Sequence, residues 1–242
     1  YEFNTTRPPF NDARVRKALN LALDKDIIAD KVLGQGQRPA WLISQPDIGG
    51  VKLQNPDYAS WPMDKRIAEA KKLLAEAGFN DSHPLSFNLL YNTSESHQRI
   101  AIAASSMWKK NLGVEAKLQN QEWKTMLDTM HTHNFDAVRY AWIADYDDAA
   151  TFLNNFRTGD SQNTTQYSNP DYDRALVNAA KSKTAEERGK FYQQAEDLLG
   201  RDVPAIPVYH YVRTHLVKPW VGGFTPDKLG YYYTKDMYIK KH

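Results

Sequence analysis

The 242-residue chain sets 31 lysines and arginines against 29 aspartates and glutamates, a formal net charge of +2, with 41% hydrophobic and 25% charged residues. That composition describes a globular chain long enough for one large domain or two modest ones, and it leaves no basic field for nucleic acid or anionic lipid. Cysteine is absent, which excludes disulfide scaffolds, cysteine-ligated metal centres and cysteine nucleophiles, and no stretch approaches the roughly 20 apolar residues of a membrane span.

The chain opens Tyr1-Glu2-Phe3-Asn4, with neither Met nor a signal-peptide pattern, and is expected to begin inside a strand of a longer protein. Residues 12–33 carry Val15, Leu19, Ala22 and Leu23 at helical spacing. Asp24 is placed to cap a second helix bearing Ile27, Ile28 and Val32, which Gly34 and Gly36 stop. Residues 37–62 form a Pro- and Gly-rich loop, long enough to be expected to cover a functional feature or wrap another domain. The stripe Ile67, Ala70, Leu73, Leu74 and Ala77 predicts a helix over 62–77 with Gly78 at its C′ position.

An alternation of elements follows. Residues 85–89 have the period of a strand, and 94–112 form a helix through Ile100, Ala103, Ala104, Met107 and Trp108. Val114, Ala116 and Leu118 line a second strand, 122–132 suits a helix, and 135–143 reads as a central strand, apolar on both faces except at Arg139. This is the pattern of βαβ units: an α/β fold with a mixed sheet and flanking helices. Helices over 171–182 and 185–199 come next, the second opened by a capping box of Thr184 and Glu187. A Pro- and Tyr-rich extended stretch ends the chain. The expected division is a lobe over residues 1–212 and a tail over 213–242 that belongs with a neighbouring domain.

Catalytic signatures are missing: no G-x-S-x-G, H-E-x-x-H, P-loop or G-x-G-x-x-G occurs. Asp128 and His131 share a helical face ahead of His133 and could ligate zinc, but a solvated helix end is the simpler explanation, and no metal site is expected. Asp145, Asp147 and Asp148 follow the strand that ends near Ile143, where α/β sheets commonly hold ligands. Asp147 or Asp148 can cap the next helix while Asp145 meets a ligand cation. Arg139 is a guanidinium in an apolar strand and needs a partner, either an internal acid or a ligand carboxylate. An acid for an amine and a base for a carboxylate together suit a zwitterionic peptide.

Five stretches carry a further signal: Leu89-Leu90-Tyr91-Asn92-Thr93-Ser94, Trp108-Lys109-Lys110-Asn111-Leu112-Gly113-Val114, Asn120-Gln121-Glu122-Trp123-Lys124-Thr125, Ala144-Asp145-Tyr146, and Leu216-Val217-Lys218-Pro219-Trp220-Val221-Gly222-Gly223. They resemble the periplasmic oligopeptide-binding proteins, the solute receptors of ABC importers, and their murein-tripeptide-binding relatives. The resemblance extends over nearly the whole chain and covers the C-terminal half of such a receptor. It implies the C-terminal lobe of a type II periplasmic binding protein, facing a second lobe across a cleft. On that resemblance Asp145 meets the peptide's α-ammonium group, and Arg139 and His97 meet its carboxylate. Trp123 and Trp142 line side-chain pockets, Tyr211 and Glu2 face the cleft, and His131 completes the candidate set. Three positions depart from the family: Ile143 stands where a disulfide cysteine is often found, Met130 replaces an arginine and Leu33 replaces a lysine.

The implied function is binding of short peptides through their backbone, with low sequence specificity, in the periplasm, for delivery to an ABC permease. No cofactor and no enzymatic activity are implied. One alternative is a receptor for another solute such as murein tripeptide, a nickel chelate, heme or an antimicrobial peptide, in which His97, His131 and His133 would matter more. Another is a hydrolase using Asp145 and a histidine, for which the sequence supplies neither nucleophile nor oxyanion hole. Half a cleft with an orphaned tail is further expected to self-associate as a homodimer.

Overall fold

The computed structural model describes residues 1–227 and 229–241, so within the predicted tail Lys228 and His242 lie outside the described residues. The chain begins with a short strand β1 (Glu2–Phe3), followed by α1 (Ala13–Leu21) and α2 (Lys25–Ile27), which runs into a π-helical turn at Ile28–Leu33. The stretch expected as two helices is thus broken three ways, with Asp12 and Asp24 accepting N–H groups as caps. Strand β2 (Arg38–Pro39), helix α3 (Met63–Glu76), β3 (Ser86–Asn92), α4 (Glu95–Leu112), β4 (Glu115–Gln121) and α5 (Trp123–His131) come next. Then follow β5 (Ala137–Val138), α6 (Ala150–Leu153), α7 (Pro170–Lys181), α8 (Ala185–Asp202), β6 (Tyr209–His210), β7 (Val221–Gly222) and β8 (Tyr238–Ile239).

The main sheet has the order β1-β5-β3-β4. Strands β5, β3 and β4 run parallel and β1 pairs antiparallel with β5, so the sheet is mixed, as the alternation predicts. Strand β5 does occupy an inner position, but it is two residues long where nine apolar residues, 135–143, read as strand. Past Val138 the chain turns off the sheet: Ile143 is 65% exposed, and Trp142 and Ala144 pack on a separate core. Strand β1 is held on its free side as well. Phe3 N–H donates to Pro204 O at 3.0 Å and Ile206 N–H to Tyr1 O at 2.7 Å.

Three clusters bury the apolar stripes. The first joins α1, α3 and α4 to one sheet face around Phe3, Phe10, Leu19, Leu89 and Trp108, each at most 0% exposed. Trp108 has its indole N–H on Leu19 O at 2.9 Å, so its one polar atom is satisfied inside the core. The second packs α6, α7 and α8 together with Leu42, Ile48, Val51 and Leu53 from the long loop. That loop is therefore the cover of a core rather than a free excursion. Glu196 on α8 anchors it, accepting from Ile43 N–H at 3.0 Å and Ser44 N–H at 2.8 Å. The third seats α5 on the other sheet face through Leu90, Met126, Met130, Phe135 and Val138. Met130 is 1% exposed, so at that position the chain has a core side chain where the resemblance places an arginine near the cleft.

Local signals largely agree with the sequence. Gly113 ends α4 with φ +71, and Phe79 N–H reaches back to Leu74 O at 2.8 Å past Gly78 to close α3. The capping box of α8 is shifted: Thr184 Oγ1 accepts from Glu187 N–H at 3.1 Å, but Glu187 answers to Lys183 N–H instead of Thr184.

Candidate functional site

The C-terminal ends of the parallel strands β3, β4 and β5 lie along one edge of the sheet, and most of the predicted site residues emerge there. Arg139 extends β5 by one bond, its N–H donating to Leu90 O at 2.7 Å, which turns its side chain inward to 7% exposure. The guanidinium donates through Nη2 to the hydroxyl of Tyr211, just past β6, and lies 5.9 Å from the centroid of that ring. Among the described residues no carboxylate forms an ion pair with Arg139. A buried cation satisfied only by neutral groups is costly, and it marks a place that an anion would complete.

His97, in the first turn of α4, faces the same point. Its Nδ1 is 2.8 Å from Oδ1 of Asn92, the last residue of β3, and its Nε2 is 3.5 Å from the Tyr211 hydroxyl. Burial first, and the Arg139 charge second, push its pKa down to about 4, so the ring is neutral near pH 7. Tyr209 sits beside this group with its ring 5.1 Å from that of Tyr211, and burial pushes its phenol up to about 12. Asn92 and Tyr209 were not among the sequence candidates. The two-residue spacing of Tyr209 and Tyr211, which puts both on one face, is the signal that could have found Tyr209.

The remaining candidates flank this centre. Trp123 opens α5 directly after β4, is 44% exposed, and stacks on Tyr140 at 6.2 Å and 13°. Glu2 pairs in register with Val138 and accepts from the Thr164 hydroxyl, while burial raises its pKa. Asp145 is exposed; its backbone N–H donates to Thr151 Oγ1 at 3.0 Å and the same hydroxyl donates to its Oδ2 at a long 3.5 Å, which fixes the turn and leaves the carboxylate open to solvent. The neighbouring acids take the structural roles. Asp147 accepts Gly49 N–H at 2.8 Å, and Asp148 accepts Ala150 N–H at 2.9 Å and pairs with Arg188 at 3.1 Å. Gly49 must be small and left-handed there, with φ +64 and a would-be Cβ 3.1 Å from Asp147 O. Trp142 is half-buried against the second core with its indole N–H unpartnered. His131 is not brought to this edge. It ends α5, which starts at the strand ends and runs back along the sheet, and it is exposed at the far end. Among the described residues no group of three His, Asp or Glu is placed to hold a metal ion.

Exposed aromatics, a buried cation and an exposed carboxylate thus gather at the strand ends of an α/β sheet, the place where such sheets commonly hold ligands. Residues 1–164 match the family described as bacterial extracellular solute-binding proteins, family 5 Middle. The chain belongs to that family, and its fold is that of a lobe of a type II periplasmic binding protein. It is 50% identical over its full length to the periplasmic oligopeptide-binding protein OppA of Escherichia coli, covering 45% of that relative. Among solved structures, the E. coli murein tripeptide-binding protein MppA superposes with a TM-score of 0.91 at 42% identity, over 100% of this chain and 48% of that one. Haemophilus influenzae OppA, in complex with the peptide RPPGFSPFR, superposes with a TM-score of 0.90 at 44% identity, over 99% of this chain and 48% of the other. The chain thus spans just under half the length of these relatives, all of them binding proteins by name.

Proposed function

We propose that this chain supplies one face of a peptide-binding cleft in a periplasmic receptor that delivers short peptides to an ABC permease. The observation that carries the reading is Arg139, a buried guanidinium with no carboxylate partner among the described residues, on the same strand-end segment as the open carboxylate of Asp145. The two termini of a peptide are a carboxylate and an ammonium group, and they suit these two side chains in chemistry and sign. Trp123 and Trp142 offer apolar walls to the side chains between the termini, and a backbone-paired ligand needs little more to be held with low sequence preference. Glu2 and Tyr211 complete the rim. His131 lies away from it, which leaves a metal-chelate reading without support from the geometry.

The tail from residue 213 supports a role beyond this lobe. Leu216 is 96% exposed, and Tyr233 and Ile239 are 65% and 67% exposed, an apolar surface of the kind that packs on another body. In isolation this surface favours self-association, and sedimentation of the isolated chain as a clean monomer would count against that.

Calorimetry on the full-length protein tests the main reading. Asp145→Ala should weaken binding of a tripeptide several-fold or more, and an unchanged affinity would sink the assignment of Asp145.

A further inference from the structure

The exposed Asp145 stands on a segment that has left the sheet, so no ladder hydrogen bond fixes its direction. Among the described residues it forms no ion pair either. What holds it is one hydroxyl. Thr151, in the first turn of α6, is 4% exposed and carries a β-branched side chain with few rotamers. Its Oγ1 accepts the Asp145 backbone N–H at 3.0 Å. A hydroxyl has one proton to give, and the acceptor it meets is Asp145 Oδ2, at 3.5 Å. Thr151 therefore grips the main chain and one carboxylate oxygen of the same residue, while no hydrogen bond among the described residues engages Oδ1. Helix α6 is itself anchored. Asp148 accepts Ala150 N–H at 2.9 Å, takes the Tyr192 hydroxyl and pairs with Arg188 at 3.1 Å, the last two both on α8. Phe152 and Leu153 enter the second core. The Thr151 hydroxyl thus sits on a frame that is complete without a ligand.

We infer that Thr151 is a positioning residue for ligand binding: its hydroxyl holds the Asp145 main chain and turns the carboxylate so that Oδ1 is presented to the ligand's ammonium group. The inference rests on the peptide reading above and extends it from which group the ligand meets to what holds that group ready. An exposed carboxylate on a free turn has to be ordered at the moment of binding, and the rotamer freedom lost there weakens affinity. A hydrogen bond made in advance from a buried, anchored side chain lowers that cost. Because the contact to Oδ2 is single and long, it directs the carboxylate without neutralising it, and the charge stays available for the ammonium group. Thr151 acts through Asp145 and not on the ligand.

The experiment is calorimetry on the full-length protein with trialanine. Thr151→Val keeps the branched shape and removes the hydroxyl, and should weaken binding about 3- to 10-fold. Thr151→Ser keeps the hydroxyl and should stay within about twofold of the parent. In an Asp145→Ala background Thr151→Val should add less than about a further twofold, because the group it positions is gone. If Thr151→Val binds like the parent, if Thr151→Ser is as weak as Thr151→Val, or if the loss is equal with and without Asp145, the inference is overturned and the peptide reading stands. If Asp145→Ala binds like the parent, or trialanine does not bind the parent at all, both fall together. Hydrogen exchange on the unsubstituted protein is a second check that needs no variant to fold. The Asp145 amide should exchange more slowly than an unprotected one, and exchange at the unprotected rate overturns the inference.

Discussion

The guanidinium of Arg139 is capped by the hydroxyl of Tyr211, a residue 72 positions further along the chain. That contact ties the strand β5 to the segment after β6 and keeps the buried cation from being wholly unsatisfied. Tyr211→Phe removes the acceptor while leaving the ring. Because Tyr211 is 45% exposed, water can partly replace the lost oxygen, so the cost should stay at about 1 kcal/mol. Urea unfolding of the unliganded protein measures it; a loss above about 3 kcal/mol would mean that the hydroxyl carries more than this one bond.

Trp108 gives the sharpest stability prediction. It is fully buried, with ring centroids of Tyr1 and Phe87 both at 5.7 Å and its N–H on Leu19 O. Trp108→Phe leaves both a cavity and an unpaired carbonyl, and should cost about 2–3 kcal/mol in chemical denaturation. A cost below about 1 kcal/mol would mean that the core closes around the smaller ring.

Lys25 is a fully buried amine whose Nζ donates to Ala40 O at 3.0 Å and lies 4.0 Å over the Trp41 ring, and among the described residues it forms no ion pair. Burial, aided by Arg66, holds its pKa well below 10.5. Between the folded and unfolded values the unfolded chain binds the extra proton, so this residue makes stability rise with pH up to the unfolded value. Lys25→Met removes that contribution. Its stability should therefore climb less steeply than that of the parent from about pH 7 to pH 9, read from urea midpoints at each pH. Parallel curves would show that Lys25 reaches solvent when charged.

Gly223 has φ +76, and a methyl group there would overlap the carbonyl oxygen of Asp236. Gly223→Ala should separate β7 from β8, whose pairing sets Val221 against Ile239 and Gly222 against Tyr238. Hydrogen exchange should then show lost protection at Lys240, whose N–H donates across to Trp220 O at 2.7 Å, with α4 and α8 unchanged. Protection lost throughout the chain would mean that the tail and the lobe unfold as one unit.

Much of this was legible in the sequence, for definable reasons. Helices α3 and α4 announce themselves by a stripe at helical spacing and a glycine at the end, since both signals are local. Arg139 and Asp145 could be singled out as charges at the end of an apolar run. The extent of β5 could not, because its side chains past Val138 are apolar for a different purpose, filling the second core. Nor could the junction of His97 with Tyr211, two residues 114 positions apart that only the tertiary fold brings together. The role of the long loop was also hidden. Its anchor Glu196 lies 152 positions from Ser44, and its burial was masked by a run of turn-forming residues.

The placement of β1 has a consequence for the order of assembly. This strand is clasped by Val138 on one side and by Pro204 through Ile206 on the other, while Thr5 bonds Thr165. During synthesis, residues 1–5 must therefore wait until about two hundred further residues have been made before they find their full set of partners. Until then Phe3, which ends in the centre of the core, has no finished place to go, and the nascent chain carries an unpaired apolar strand while everything up to α8 and the residues after it is made.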